Sequence, residues 1–350
     1  MLIARMGAGI DIDLKQLGLW LEAHVAGFYG LTAVTKYSGG QSNPTYRLDA
    51  QSGTYVLRAK PAGVLLPSAH QVGREYRVMA ALAGSTVPVP RMLAFADDDT
   101  SPIGRAFFVM SHVEGRIFWD PALPDLAPAA RRAIYHAMAA MLADLHTLSP
   151  EALGLADFGR AANYFARQVD RWGRQYQASA PQPHRAMQRL GDWLAAHLPP
   201  DDGEVALVHG DYRLDNMIFA QDAPTPIALL DWELSTLGHP LADLAYQCMQ
   251  LRLPHNAAMR GLGGVDRAPL GIPSEVDYVA FYCARRGIAE IPHWPFYLAF
   301  SFFRLAAILQ GVVRRADDGN ASNPDSARAY APVIPVLAGM ALDLTGVRVE

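Results

Sequence analysis

Between residues 13 and 29, Leu14, Leu17, Leu21 and Val25 recur at spacings of three and four. That period gathers apolar side chains on one face of an α-helix. The pattern then shortens. Thr32 to Lys60 hold three runs, TAVTKYS, TYRLDA and TYVLRAK, with Gly39-Gly40 between the first two and QSG between the second and third. Runs rich in β-branched and aromatic residues, broken by turn residues, predict an antiparallel meander. Residues 69–83 return to helical period, the rigid VPVPR segment follows, and RAFFVMSHVEG reads as a fifth strand running to Gly115, with strands flanking Pro90 to Gly104. The first 110 residues therefore predict a small antiparallel sheet with one inserted helix.

Beyond Gly115 the period is helical. AARRAIYHAMAAMLADLHTL, NYFARQVDRWGRQYQ and HRAMQRLGDWLAAHL predict three helices, and from Pro240 onward helical segments alternate with Gly/Pro-rich connections. One stretch breaks the rhythm. LVHGDYRLDNMIF, Leu207 to Phe219, reads as strand–loop–strand, and PIALLDW supplies a returning strand. The expected architecture is α+β in two lobes: a sheet-rich lobe over 1–110, a hinge at 111–115, and a mainly helical lobe over 116–350 that carries one β-hairpin.

Composition narrows the class. Hydrophobic residues make up 51% and charged residues 18% of 350 positions, which predicts a sizeable packed core. Lys and Arg total 30 against 34 Asp and Glu, a net charge of -4, without the basic excess of a nucleic-acid binder. Two cysteines, Cys248 and Cys283, supply neither a disulfide framework nor a zinc cluster, so a reducing, cytoplasmic setting is expected. The N-terminal residues lack the apolar run of a signal peptide, and Arg304 and Gln310 interrupt the apolar FYLAFSFFRLAAILQGVV, so no membrane partner is expected. A small molecule is the partner these features leave.

The interrupting stretch carries chemistry. It places His209, Asp211, Arg213, Asp215 and Asn216 within eight residues, and the fold-back through AQDAPTP is expected to return Asp231 near them. Phosphoryl transfer needs a carboxylate to orient the attacking hydroxyl and take its proton, and oxygen ligands to hold Mg²⁺ against nucleotide phosphates. The Asp–x₄–Asn spacing from 211 to 216 lets one short loop point both side chains at one phosphate.

HGDYRLDN followed by LLDWE resembles the catalytic and metal-binding motifs of the aminoglycoside phosphotransferase family, whose fold is protein-kinase-like. Trp232 and Glu233 stand where protein kinases have Phe and Gly. The resemblance implies Asp211 as catalytic base, Asn216 and Asp231 as Mg²⁺ ligands, and Arg213 in the place of a phosphate-contacting cation. ATP, or GTP, is the implied donor.

In YSGGQSNPTYRL the glycines, Gly40 among them, let backbone N–H groups approach phosphates, with Ser42 and Asn43 as added donors, and the loop resembles the family's GG-x-SN segment. The family's cation on the third strand corresponds to Arg58, while Lys60 lies two residues on and on the same strand face, so the sequence does not choose between them. Glu75 on the inserted helix is the implied acidic partner of that cation. FFVMSHVEG resembles the family's hinge, where backbone groups from Ser111 to Val113 would hold the purine.

Other polar positions read as structural. Asp243 is expected to stabilise the catalytic loop or cap a helix, His209 to orient the loop, and His146 and His239 to serve packing. Arg304 sits among apolar neighbours and is expected to meet an acid or the substrate cleft, because a buried cation needs compensation. Within the family, DWELSTLGHPLADLAY, VLRAKPAG and RLAAILQGV look most similar to the kinase-like domains fused to certain acyl-CoA dehydrogenases. That implies a hydroxyacyl-CoA or similar hydroxylated metabolite as acceptor. From Pro273 to Arg315 five Arg face three acids, a bias that suits an anionic or neutral acceptor. Two alternatives stay open: a non-catalytic nucleotide-binding pseudokinase, and a true aminoglycoside kinase.

Overall fold

The structure is a computed structural model and describes residues 5–6, 12–37, 43–61, 71–160, 162–256, 259–319 and 324–347. Its chain forms two compact units, one of Met1–Arg116 with Met217–Ser235 and one of Ile117–Asn216 with Thr236–Glu350. Together the elements make an α+β protein, the class the periodicities predict.

The first unit is built on a sheet of six strands. β1 (Arg5–Met6), β2 (Leu31–Lys36), β3 (Thr45–Ala50), β4 (Gly53–Ala59), β5 (Met92–Ala96) and β6 (Phe107–Ser111) lie in the order β1-β2-β3-β4-β6-β5. All neighbours are antiparallel except β1 with β2. β1 is only two residues long, too short for any period to announce it.

Alternation along the strands explains how two helices cover this sheet. Phe107 and Val109 of β6 join Val34, Leu48 and Leu57 in a core with Leu17 and Leu21 of α1 (Leu14–His24). The intervening Phe108 meets Tyr76 of α2 (Val72–Leu82), ring centroids 6.2 Å apart. β6 is therefore buried on both faces, and its continuous apolar run FFVM follows from that. α1 starts where Asp13 accepts hydrogen bonds from the amides of Lys15 and Gln16.

After Arg116 the chain builds α3 (Pro128–Thr147), α4 (Tyr164–Ser179), α5 (Arg185–Ala196) and β7 (Ala206–Val208) of the second unit. It then returns to the first as a hairpin of β8 (Met217–Phe219) and β9 (Pro226–Leu229). The sequence reading put this hairpin in the helical lobe. Backbone bonds explain its grouping with the sheet. Arg116 and Phe219 exchange N–H···O bonds of 2.8 Å each way, and Leu229 N donates to Pro88 O.

The second unit resumes with β10 (Thr236–Gly238), antiparallel to β7, then α6 (Leu241–Arg252), α7 (Glu275–Arg286), α8 (Trp294–Asp317), α9 (Pro324–Arg328) and α10 (Val333–Thr345). α8 is its core helix and packs against α4, α5, α6, α9 and α10. Arg304 and Gln310 lie inside this unbroken helix rather than ending it. By length and composition α8 could cross a membrane, yet 89% of its most apolar window is buried within the fold. α7 opens on a reciprocal capping box of Ser274 and Asp277 and closes on left-handed Gly287.

Candidate active site

In the first unit the site is organised around one arginine. Arg58, on β4, sends Nε to Glu75 Oε2 (2.9 Å) and Nη2 to Asp231 Oδ1 (2.5 Å), with Glu233 Oε2 at 3.7 Å. Glu75 enters from α2 and is 2% exposed, and Asn43 Nδ2 donates to Glu233 Oε2 at 3.3 Å. Burial disfavours the Arg58 charge, but Glu75, Asp231 and Glu233 outweigh it and hold the guanidinium above its ordinary value. Burial also raises the Glu75 carboxyl, Arg58 pulls it down, and the neighbouring carboxylates push it up again.

The structure separates the two cations the sequence left open. β4 ends at Ala59, and Lys60 turns its Nζ to Asp98 Oδ2 at 2.5 Å. Arg58, not Lys60, meets Glu75. Gly40 and Ser42 lie outside the described residues. Ser111 closes β6, with its hydroxyl accepting from Arg91 N, and Val113 follows in non-sheet backbone.

Asp231 has φ 65 and ψ 62 and makes no capping bond to the single helical turn Trp232–Leu234 that follows. For a residue with a Cβ the left-handed region costs about 1 kcal/mol or more, so this carboxylate is held at the expense of local strain.

In the second unit, Asn216 Nδ2 donates to both Asp211 O and Asp211 Oδ2, each at 2.9 Å. The loop beneath them is pinned from α6. Asp243 is fully buried and accepts from His209 N (2.6 Å) and Gly210 N (2.8 Å), with His146 Nε2 at 3.4 Å. Burial would raise the Asp243 carboxyl, but His146, His209 and the Gly210 amide overcome it and keep it below its ordinary value. Gly210 takes φ 85, which frees its two backbone groups to point to different partners. Its carbonyl accepts from Arg304 Nη2 at 2.6 Å. Asp211 N donates to His209 Nδ1 at 3.2 Å, so the imidazole orients the loop as expected.

Two arginines of the second unit find partners within the protein. Arg213 places its fork on Asp215, with Nε at 2.6 Å from Oδ1 and Nη2 on Oδ2. That bidentate pair occupies the groups assigned to a phosphate. Arg304 is 5% exposed, and among the described residues no carboxylate lies within ion-pair distance of it. The Gly210 carbonyl and the rings of Trp172 (5.6 Å) and Tyr246 (5.3 Å) take that place.

Sequence reasoning missed Tyr246, whose side chain hydrogen-bonds Asp211 and whose hydroxyl burial keeps protonated. It also missed Glu233 as a member of the Arg58 cluster. The i+2 relation of Glu233 to Asp231 is visible in LLDWE, but only the turn at 232–234 brings it to Arg58.

The donor set fits magnesium. In the first unit Arg58 faces Asp231 and Glu233 besides Glu75, whose buried carboxyl is pushed up to about 8, and the negative charge left over is one that a divalent cation would offset. In the second, Asn216 uses its amide nitrogen on Asp211, which leaves its hard Oδ1 available to a cation.

A family model described as the phosphotransferase enzyme family matches residues 33–277, more than half of the chain. Human acyl-CoA dehydrogenase family member 11 is 45% identical over 338 residues, which cover 95% of this chain and 43% of that protein. Mouse acyl-CoA dehydrogenase family member 10 is 45% identical over 309 residues, 87% of this chain and 29% of that one. The chain thus spans less than half the length of these curated relatives. Among solved structures, a protein of Ralstonia eutropha JMP134 named for the aminoglycoside phosphotransferases is 45% identical with a TM-score of 0.84, covering 95% of this chain and 98% of that one. Spectinomycin phosphotransferase APH(9)-Ia, solved with ADP and spectinomycin, is 14% identical with a TM-score of 0.63 over 97% of this chain and 100% of that one, and so shares the kinase-like fold.

Proposed function

Because this chain belongs to the phosphotransferase enzyme family, we propose that it transfers the γ-phosphoryl group of ATP to a hydroxyl of a small molecule, with Mg²⁺ as cofactor. The observation that carries this reading is the Asp211 carboxylate. It is bound by Asn216 Nδ2 and sits on a loop whose amides are held by buried Asp243. A base in that setting is pre-positioned, and positioning is most of what phosphoryl transfer asks of a protein.

The step balances simply. The acceptor oxygen bonds to the γ-phosphorus as the bond from that phosphorus to the β,γ-bridging oxygen breaks. ADP departs with the electron pair, and Asp211 takes the hydroxyl proton. Arg58, kept charged by its acidic neighbours, is the cation for the phosphates, and Glu75 orients it. Asn216 and Asp231 are the residues that would each offer an oxygen to magnesium, which would supply neutralisation of phosphate charge. Arg213, with its fork on Asp215, shapes the loop.

For the acceptor, the identity to acyl-CoA dehydrogenase family members 10 and 11 supports a hydroxyacyl-CoA-like metabolite. The test is ATP consumption against hydroxyacyl-CoAs, sugars, choline-like alcohols and aminoglycosides. A hydroxyacyl-CoA should stimulate turnover, and Asp211→Asn should cut it by about a thousandfold or more while leaving nucleotide binding in place. Full activity in that variant would remove Asp211 as base, and stimulation by kanamycin alone would replace the acceptor assignment.

A further inference from the structure

Beside the catalytic loop, within the second unit, lies a cavity of about 370 Å³ whose walls include Arg213, Leu214 and Asp215 of the loop itself. α6 contributes Gln247 and Gln250, and Trp119, 71% exposed, forms part of its rim. Its size suits a drug-sized or metabolite-sized group.

Two features of the lining constrain the occupant. First, its charges are spent. Arg213 is paired to Asp215, and Arg260 is paired to Asp120 at 3.2 Å, so no lining carboxylate is left uncompensated for a cationic ligand. Second, its amides are not. Gln247 Oε1 and Gln250 Nε2 are buried without a hydrogen-bond partner among the described residues, and the Gln247 residue is 2% exposed. A buried polar atom left unpaired is costly, so such atoms in a cavity mark what the cavity is built to meet. One acceptor and one donor, a helical turn apart on α6, match a group that offers one N–H and one C=O. Trp119 adds a flat apolar face on which a planar amide can stack.

We propose that Gln247 and Gln250 are the specificity-determining residues of the acceptor pocket, and that the acceptor carries an uncharged amide next to its hydroxyl-bearing part. This rests on the phosphotransferase reading for its biological sense but not for its test. It also sets a direction: a polyamine or aminoglycoside finds no unpaired acid there.

The experiment is a titration of the full chain, selectively ¹⁵N-labelled at glutamine, with N-methylacetamide, methylammonium and acetate, read at the side-chain NH₂ resonances. N-methylacetamide should shift the Gln247 and Gln250 signals saturably, and the two charged probes should not. Gln250→Leu should raise the apparent Kd read at Gln247 by about five- to tenfold, as losing one hydrogen bond implies. Gln247→Leu deletes an unpaired buried carbonyl, so it should weaken the shift at Gln250 while raising the thermal midpoint of the free protein. A purely structural glutamine would lower that midpoint instead. Absence of a saturable amide shift, an equal response to methylammonium, or a destabilised Gln247→Leu would each overturn the assignment. ATP turnover enters none of these readouts, so failure of the transferase reading shows separately.

Discussion

A single buried carboxylate, Asp243, holds the amides of His209 and Gly210 and faces the His146 imidazole, and the two groups respond to acid in different pH ranges. Burial lowers the His146 pKa below its usual 6.5, and its bond to Asp243 only partly offsets this. His146 is therefore neutral in the fold, where Nδ1 shares a 2.7 Å hydrogen bond with Tyr282. The sign follows from proton uptake. Below about pH 6.5 the unfolded chain binds a proton at His146 before the folded one does, so stability falls as pH falls, by up to about 1.4 kcal/mol per unit. Asp243 behaves as a depressed carboxylate. Its contribution is present above its ordinary value of 3.8 and is lost only as pH drops below that. Urea unfolding measured from about pH 7 to 5 should thus lose less stability in His146→Asn than in the unsubstituted chain. Equal slopes would mean that His146 does not titrate differently on folding.

At the scale of elements, the hairpin β8–β9 joins the first unit through close backbone approach at Gly115. A Cβ there would lie 2.4 Å from both Phe219 O and Ile218 Cγ2. The oxygen is backbone and bonded to Arg116 N, so it cannot rotate away. Gly115→Ala should therefore cost about 1–3 kcal/mol, by overpacking and by displacing the hairpin. Thermal unfolding checks the loss. An unchanged midpoint would show that the hairpin yields without penalty. The register places Met217, the residue after Asn216, opposite Leu229, two residues before Asp231. The same hairpin thus links, along the chain, the two segments proposed to hold the metal.

Across the whole molecule, ligand binding and stability are one equilibrium. Mg²⁺–ADP at about a hundred times its Kd should stabilise the protein by about 2.7 kcal/mol. Calorimetry with and without the ligand reads this directly. Asp231→Ala should lose most of that gain, because it removes the carboxylate assigned to the metal, while Asp211→Asn should keep it. A full ligand-induced shift in Asp231→Ala would contradict the metal role. Both variants belong in the same experiment, since the contrast between them separates nucleotide binding from proton abstraction.

The sequence by itself determined what is local. Hydrophobic periods named the longer strands and helices, though not the two-residue β1, because side-chain direction repeats every two or 3.6 residues. The phosphotransferase motif was legible because Asp211 and Asn216 share one short loop, and the family model spans it. What the tertiary structure alone decided involves partners far apart in the chain. The sequence left Asp243 between steadying the loop and capping a helix, and only the fold brings it to His209 across 34 positions and Arg304 to Gly210 across 94. No period encodes such pairs, because they are selected by which buried groups lack a partner once the helices pack. Arg58 and Lys60 share a strand face in sequence, yet β4 ends between them, and only the position of Glu75 on α2 singles out Arg58. The loop chemistry was written in spacing, and its support came from burial.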